Sequence, residues 1–381
     1  MLRTSLAALG LATVATLALA QPAEPPKSGK YHVYIGTYTG KDGSKGIYRS
    51  EFDLATGKLS EPEVAAEVGS PSFLAISPSG KNLYAVGEAA GGKDGGGVYS
   101  FALDPATGKL TKLNQNTSGG AGPCHIATDP SGKTAIVANY GGGSVSAFKL
   151  KEDGSIEART AFVQHTGSSI HRGKPTVPHG HCGSFDATGK YALFCDLGLD
   201  QVLVYAVDHD KGSLTLATTI KLPQGAGPRH IHIAPSNDLA FVCGELDCTA
   251  NVIKLDFAGG KHEVLQSIST LPSGMAGKGD STAEIRIHPN GKYVYVSNRG
   301  HNSIAAFGWD GKKLTALGHA SAGIKTPRNF NIDPTGQWML VANQDGGDVI
   351  VFKIDDKGMP QPTGNKIAVS KAVCVKFLAK P

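Results

Sequence analysis

Across 381 residues the chain is 40% hydrophobic and 18% charged, a balance that excludes a disordered polypeptide and suits either a few ordinary domains or one large repeat-built domain. Its 37 basic residues against 32 acidic ones leave a formal charge of +5, too mild and too scattered to mark a nucleic-acid or membrane-surface binder. Fifty glycines without a collagen-like period point to many tight turns between short strands.

The chain opens on a predicted secretory leader, residues 1–20. Arg3 supplies a short basic start, Leu6 to Leu19 an apolar run, and Ala18-Leu19-Ala20 the small-x-small cleavage pattern. A membrane anchor would need about 18 uninterrupted apolar residues, which this run lacks. The expectation is therefore export to the periplasm or the medium, with no membrane partner after cleavage. Residues 21–29 read as an exposed linker and residues 30–381 as the folded domain.

The first predicted strand, Val33-Tyr-Ile-Gly-Thr-Tyr38, stands alone. A strand, polar turn and strand then begin at Gly46, and the same pair recurs from Gly97, Ser144, Gln201, Asn251, Ser303 and Asp348. Between these pairs one turn phrase occurs six times: Ser77-Pro-Ser-Gly-Lys81, Asp129-Pro-Ser-Gly-Lys133, Asp186-Ala-Thr-Gly-Lys190, Ala234-Pro-Ser-Asn-Asp238, His288-Pro-Asn-Gly-Lys292 and Asp333-Pro-Thr-Gly-Gln337. Proline at the second position with glycine two residues on is type I turn chemistry. Each phrase is followed by a short β-prone run such as Ala135-Ile-Val-Ala-Asn-Tyr140. Units of four short strands every 45–57 residues, with no convincing amphipathic helix, predict an all-β, seven-bladed β-propeller. The N-terminal unit lacks an innermost strand, and the spare C-terminal run Ala372-Val-Cys-Val-Lys-Phe377 is predicted to fill that gap and close the ring.

In such a ring the start of each innermost strand and the end of each second strand meet at one mouth of the axis. Counting from the second residue of each turn phrase, the slot six residues before it holds Ser72, Cys124, His181, Arg229, Ala283 and Arg328. The slot ten residues after it holds Glu88, Tyr140, Leu197, Glu245, Arg299 and Gln344. Only eight residues of the chain are arginine, and three of them fall in these slots beside two glutamates and a histidine. Arginine offers a fixed fork for a carboxylate, a phosphate or a developing oxyanion, and histidine near glutamate can move a proton near neutral pH. His179 and His181 also invite a metal reading with His125, His230 and His232 nearby, but no third and fourth ligands show a recognisable spacing. No metal and no cofactor are expected. The glycine-rich run Gly91–Gly97 lacks a strand-to-helix context and reads as a loop. Cys182 and Cys195 are symmetric about their turn phrase, so they should face each other and could form a disulfide in an exported chain.

These phrases resemble the seven-bladed propeller lactonases, the family typified by 6-phosphogluconolactonase and including carboxy-cis,cis-muconate cyclase. The carriers are Tyr34-Ile-Gly-Thr-Tyr-Thr39, Pro178-His-Gly-His181, Gly227-Pro-Arg-His230, Glu245-Leu-Asp247, Ala283-Glu-Ile-Arg-Ile287, Ser297-Asn-Arg-Gly-His301, Pro327-Arg-Asn-Phe330, Val341-Ala-Asn-Gln344 and Val373-Cys-Val375. The resemblance implies hydrolysis of a sugar δ-lactone with His181, Arg229, Glu245 and Arg299 as the catalytic group. His179, Arg328 and Gln344 follow as substrate contacts. Either Glu245 or His181 would activate water. Family members often carry an Arg-Gln pair shortly before the Pro-His-x-His phrase, where this chain has Gly173-Lys-Pro-Thr-Val177. That departure and the leader leave phosphorylated and plain gluconolactone both open, beside a muconolactone-type cycloisomerase and a non-catalytic binding propeller. A monomer acting on a small-molecule sugar lactone is expected.

Overall fold

In the computed structural model, which describes residues 29–40, 43–89, 96–275 and 279–381, the turn phrases close hairpins, and those that begin with aspartate do so through that side chain. The Asp129 carboxylate accepts the backbone N–H groups of Ser131 at 2.9 Å, Lys133 at 2.8 Å and Thr134 at 2.7 Å. Asp186 and Asp333 repeat the arrangement in their own turns. The fourth residue of the phrase must take a positive φ, which glycine does without a Cβ penalty. Gly132 sits at φ 71°, and the one phrase without glycine places Asn237 at φ 62°. Asn237 also ties its turn to the neighbouring one, donating from Nδ2 to Asp186 at 3.1 Å.

The hairpins assemble into seven antiparallel blades, six of them four consecutive strands, with a small two-stranded ribbon at Ile170–His171 and Lys174–Pro175. The six innermost strands of these blades are Leu74–Ile76, Pro123–Thr128, Gly180–Phe185, Pro228–Ile233, Ser281–Ile287 and Pro327–Ile332. Second strands are buried on both faces, because each face packs on the adjacent blade, and so they read as continuous apolar runs: every residue of Thr134–Asn139 and of Trp338–Asn343 is buried. Outer strands such as Glu263–Ser269 alternate exposed and half-buried residues, the period of a sheet with one wet face. The core is accordingly divided among the blade interfaces. Phe52, Trp338, Leu340 and Val351 fill the one between the first and last blades.

The first blade is the composite that the spare strand predicts. Lys30–Thr37 pairs on one side with Gly46–Asp53 and on the other with Ala372–Ala379. Val375 and Ala372 enter the core shared with the last blade, while Cys374 enters the core shared with the second. Removing residues 372–381 would therefore open two apolar interfaces and unpair an edge. The expected outcome of that truncation is loss of soluble, cooperatively unfolding protein, read by gel filtration and urea denaturation. A monodisperse truncated chain with an unchanged denaturation midpoint would show that the ring does not need this strand.

The predicted leader at residues 1–20, nearly all of the linker and most of the glycine-rich run lie outside the described residues. The disulfide expectation requires correction. Cys182 and Cys195 are register partners across adjacent strands, yet both are free, buried thiols, as are Cys124, Cys243, Cys248 and Cys374. A bulge between Gly180 and Cys182 interrupts the ladder just before the pair. Both side chains serve as small apolar fillers beside Leu193, Val202 and Val242. Burial pushes the Cys182 thiol up to about 12, which disfavours the thiolate needed for exchange.

Candidate active site

The mouth where the innermost strands begin is built from strand ends held by backbone anchors. Asp196 ends the second strand of the fourth blade, and its Oδ1 accepts the N–H groups of His179, Gly198 and Leu199. Its Oδ2 lies 2.6 Å from Nδ1 of the buried His165. This carboxylate fixes where the Pro178-His-Gly-His181 segment enters the ring. His179 then stacks on Tyr140, with ring centroids 4.5 Å apart, and bonds the Tyr140 carbonyl through Nδ1 at 2.9 Å.

His181, Glu245, Arg299 and Arg328 line a cavity of about 310 Å³ together with Glu88 and Tyr140, a volume at the low end of small-molecule sites. Arg229 does not face this space. It is 2% exposed and borders only the narrow recess beneath it, with Ser72, His181 and Arg328. Gln344 sits just beyond the strand Trp338–Asn343 and is not part of the cavity wall. Glu88, Tyr140 and Cys124 also line it, with the backbone of Gly122 and Gly141. All three occupy the same two sequence slots; Glu88 is one of the two glutamates noted there, whereas nothing in the residue types of Tyr140 and Cys124 distinguished them from ordinary rim residues.

The charges are arranged as a bridge. Glu245 Oε2 lies 2.8 Å from Arg229 Nε, and Oε1 lies 3.0 Å from Arg299 Nη2. The Arg229 contact is an ion pair whose N–H is not aligned as a hydrogen bond. Each arginine is also held by a backbone carbonyl, Arg229 Nη1 donating to Ala283 and Arg299 Nη2 to Thr282 at 2.8 Å. Burial alone would raise the Glu245 pKa, but Arg229 and then Arg299 outweigh it and hold the carboxyl below its ordinary value. Burial, assisted by Arg229, lowers Arg299 to about 10, so it remains a cation at neutral pH. Arg328 has no carboxylate within ion-pair distance among the described residues. Its guanidinium lies 5.3 Å over the Tyr38 ring, whose hydroxyl donates to Glu88 at 3.3 Å.

His181 is the unengaged group. It is 4% exposed, and neither ring nitrogen makes a hydrogen bond among the described residues; Nδ1 is sealed from solvent, which leaves Nε2 as the nitrogen open to the cavity. Burial first, then Arg229 and His230, hold its pKa well below the ordinary imidazole value, so it is neutral at pH 7. Among the described residues no three His, Cys, Asp or Glu side chains are arranged to hold a metal ion.

Fold and mouth together define a propeller whose axial cavity, with the recess beneath it, gathers three guanidiniums and two carboxylates around a neutral imidazole. The chain belongs to the seven-bladed β-propeller lactonase family, whose model, described as "Lactonase, 7-bladed beta-propeller", matches residues 32–377. It is 34% identical over 352 residues to a 6-phosphogluconolactonase of Bacillus subtilis, covering 92% of this chain and 99% of that one. A 6-phosphogluconolactonase of Formosa agariphila is likewise 34% identical over 335 residues, covering 85% of this chain and 92% of its own. The solved structure of a periplasmic gluconolactonase from Pseudomonas aeruginosa superposes with a TM-score of 0.86 at 28% identity, covering 93% of this chain and 100% of that one.

Proposed function

We propose that this chain is an exported lactonase that opens a sugar δ-lactone of the gluconolactone class. The observation that carries the reading is the division of labour in the mouth: Glu245 is pinned between two arginines, while His181 is neutral and unengaged. Of the two candidate bases, the carboxylate is the less available, because each of its oxygens already faces an arginine. His181 Nε2 would take a proton from water as the water oxygen adds to the lactone carbonyl. Arg299, with one face on the cavity, would stabilise the negative charge developing on the carbonyl oxygen. When the ring C–O bond breaks, the imidazolium returns its proton to the departing ring oxygen. The product is a hydroxy acid whose carboxyl then ionises. Arg229, buried below, sets the position of Glu245 and raises the local positive potential.

Export supports the unphosphorylated lactone as the working substrate, and the relative from Pseudomonas aeruginosa is itself a periplasmic gluconolactonase. Among the described residues of the cavity only Arg328 is a cation without a carboxylate partner, whereas a phosphate dianion is best held by two. Loss of one charge-assisted contact is worth roughly ten- to a hundredfold in affinity. The mature protein is expected to acidify solutions of gluconolactone, with a modest preference at most for the 6-phosphorylated form. Arg328→Ala should change the ratio of kcat/KM for the two lactones by about tenfold or more. A wild-type ratio of thousands, untouched by Arg328→Ala, would show that other groups hold a phosphate. No hydrolysis of any member of an aldonolactone panel would remove the lactonase reading itself.

A further inference from the structure

At the opposite end of the axis lies a second cavity, of about 510 Å³, to which all seven innermost strands contribute. A floor of three rings separates it from the active-site mouth: Phe73 packs on His125 with centroids 4.0 Å apart, and His230 meets both at 5.6 and 5.4 Å. The lining of this second cavity includes one carboxylate, Glu284, and two cations, Arg286 and Lys376.

Glu284 is fully committed. Its Oε1 lies 3.4 Å from Arg286 Nε and accepts the Ile285 N–H at 3.1 Å. Its Oε2 lies 3.1 Å from His230 Nδ1 and accepts from Asn329 Nδ2. Lys376 has no carboxylate within ion-pair distance among the described residues; its ammonium rests 4.4 Å from the centre of the Phe73 ring. One positive charge is therefore left uncompensated in this cavity.

The imidazoles add oriented donors. His232 Nδ1 accepts the Ile287 N–H at 2.9 Å, and His125 Nδ1 accepts the Gly183 N–H at 3.4 Å. A backbone N–H can only donate, so in both rings the proton is on Nε2. Neither Nε2 makes a hydrogen bond among the described residues, and neither is sealed from solvent. Burial keeps both rings neutral, with His232 lowered to about 3 and His125 well below its ordinary value. The cavity thus presents an ammonium and two N–H donors, an arrangement that suits oxygen atoms carrying negative charge. A channel needing only to be wet would be served by hydroxyls and amides without the desolvation of a lysine.

We propose that this far cavity is a second binding site, for a small oxyanion held by Lys376 with His125 and His232. The proposal does not depend on the lactonase reading. A phosphate and the carboxylate of a sugar acid share the required chemistry. Inorganic phosphate and gluconate are titrated separately into the mature protein by isothermal calorimetry, in wild type and in Lys376→Met, His232→Asn and Arg328→Ala. Asparagine at 232 can still accept the Ile287 N–H but lacks the outward donor. Saturable binding is expected that persists in Arg328→Ala, where any contribution from the other mouth is removed, and that is weakened about tenfold or more by Lys376→Met and weakened by His232→Asn. A response to phosphate alone, to gluconate alone or to both identifies the source of the oxyanion. Absence of saturable binding to either would overturn the site. So would binding lost in Arg328→Ala and kept in both far-cavity variants. Should Lys376→Met not fold by circular dichroism, unchanged affinity in His232→Asn alone decides against the proposal.

Discussion

Replacing His181 by alanine is expected to lower kcat for the lactone about a hundred- to ten-thousandfold, the usual span for loss of a positioned general base, with little change in KM. The pH profile carries the sharper test. A base works only when deprotonated, and the folded-state pKa of His181 is depressed by burial and by Arg229. Wild-type kcat/KM should therefore be on its plateau at neutral pH. It should fall only as the pH drops through that depressed value, below the ordinary imidazole range of about 6.5. In His181→Ala this limb should disappear from whatever activity remains. A variant that keeps near wild-type kcat, or keeps the acid limb unchanged, would move the base elsewhere, with Glu245 the next candidate.

Glu245→Ala is expected to be the most destabilising single change in the mouth. It leaves Arg229, 2% exposed, as a buried cation without its carboxylate, and removes one of the two anchors of Arg299. Breaking a buried pair from one side costs about 3–5 kcal/mol, whereas replacing both partners with apolar groups of similar size is often close to neutral. The double variant Arg229→Met/Glu245→Leu should thus recover most of the urea-denaturation midpoint lost in Glu245→Ala, while lactone hydrolysis stays abolished. The sign with pH follows from the depressed carboxyl. Glu245 contributes its stability above the ordinary carboxylate range, and that contribution is lost as the pH falls through its lowered folded-state value. Equal midpoints for Glu245→Ala and wild type would mean that the arginines are satisfied without it.

Much of the molecule follows from local chemistry. The Asp-Pro-Ser-Gly-Lys turns need only a carboxylate that reaches backbone N–H groups within five residues and a fourth residue tolerant of positive φ. Repeats of that kind, spaced by short apolar strands, determine seven units. A missing strand at one end and a spare at the other determine how the ring closes. Because every blade has the same register, strand-end slots also point to the residues that gather at one mouth, and His181, Glu245, Arg299 and Arg328 are found there together.

Other features were decided by distances that no spacing encodes. Arg229 and Arg299 occupy different slots, but only packing shows that one is buried beneath the cavity while the other faces it, and that Glu245 lies between them. The facing of Cys182 and Cys195 is a matter of strand register, whereas the apolar core around both thiols arises from blade-to-blade contact. The far cavity is the clearest case. His125, His232, Glu284, Arg286 and Lys376 come from four different blades and meet only after the C-terminal strand has closed the ring. Sequence fixes periodicity because turns and strands are short-range. Which of the residues gathered on the axis touch, and which are buried, depends on the whole circle of blades, and so belongs to the tertiary structure alone.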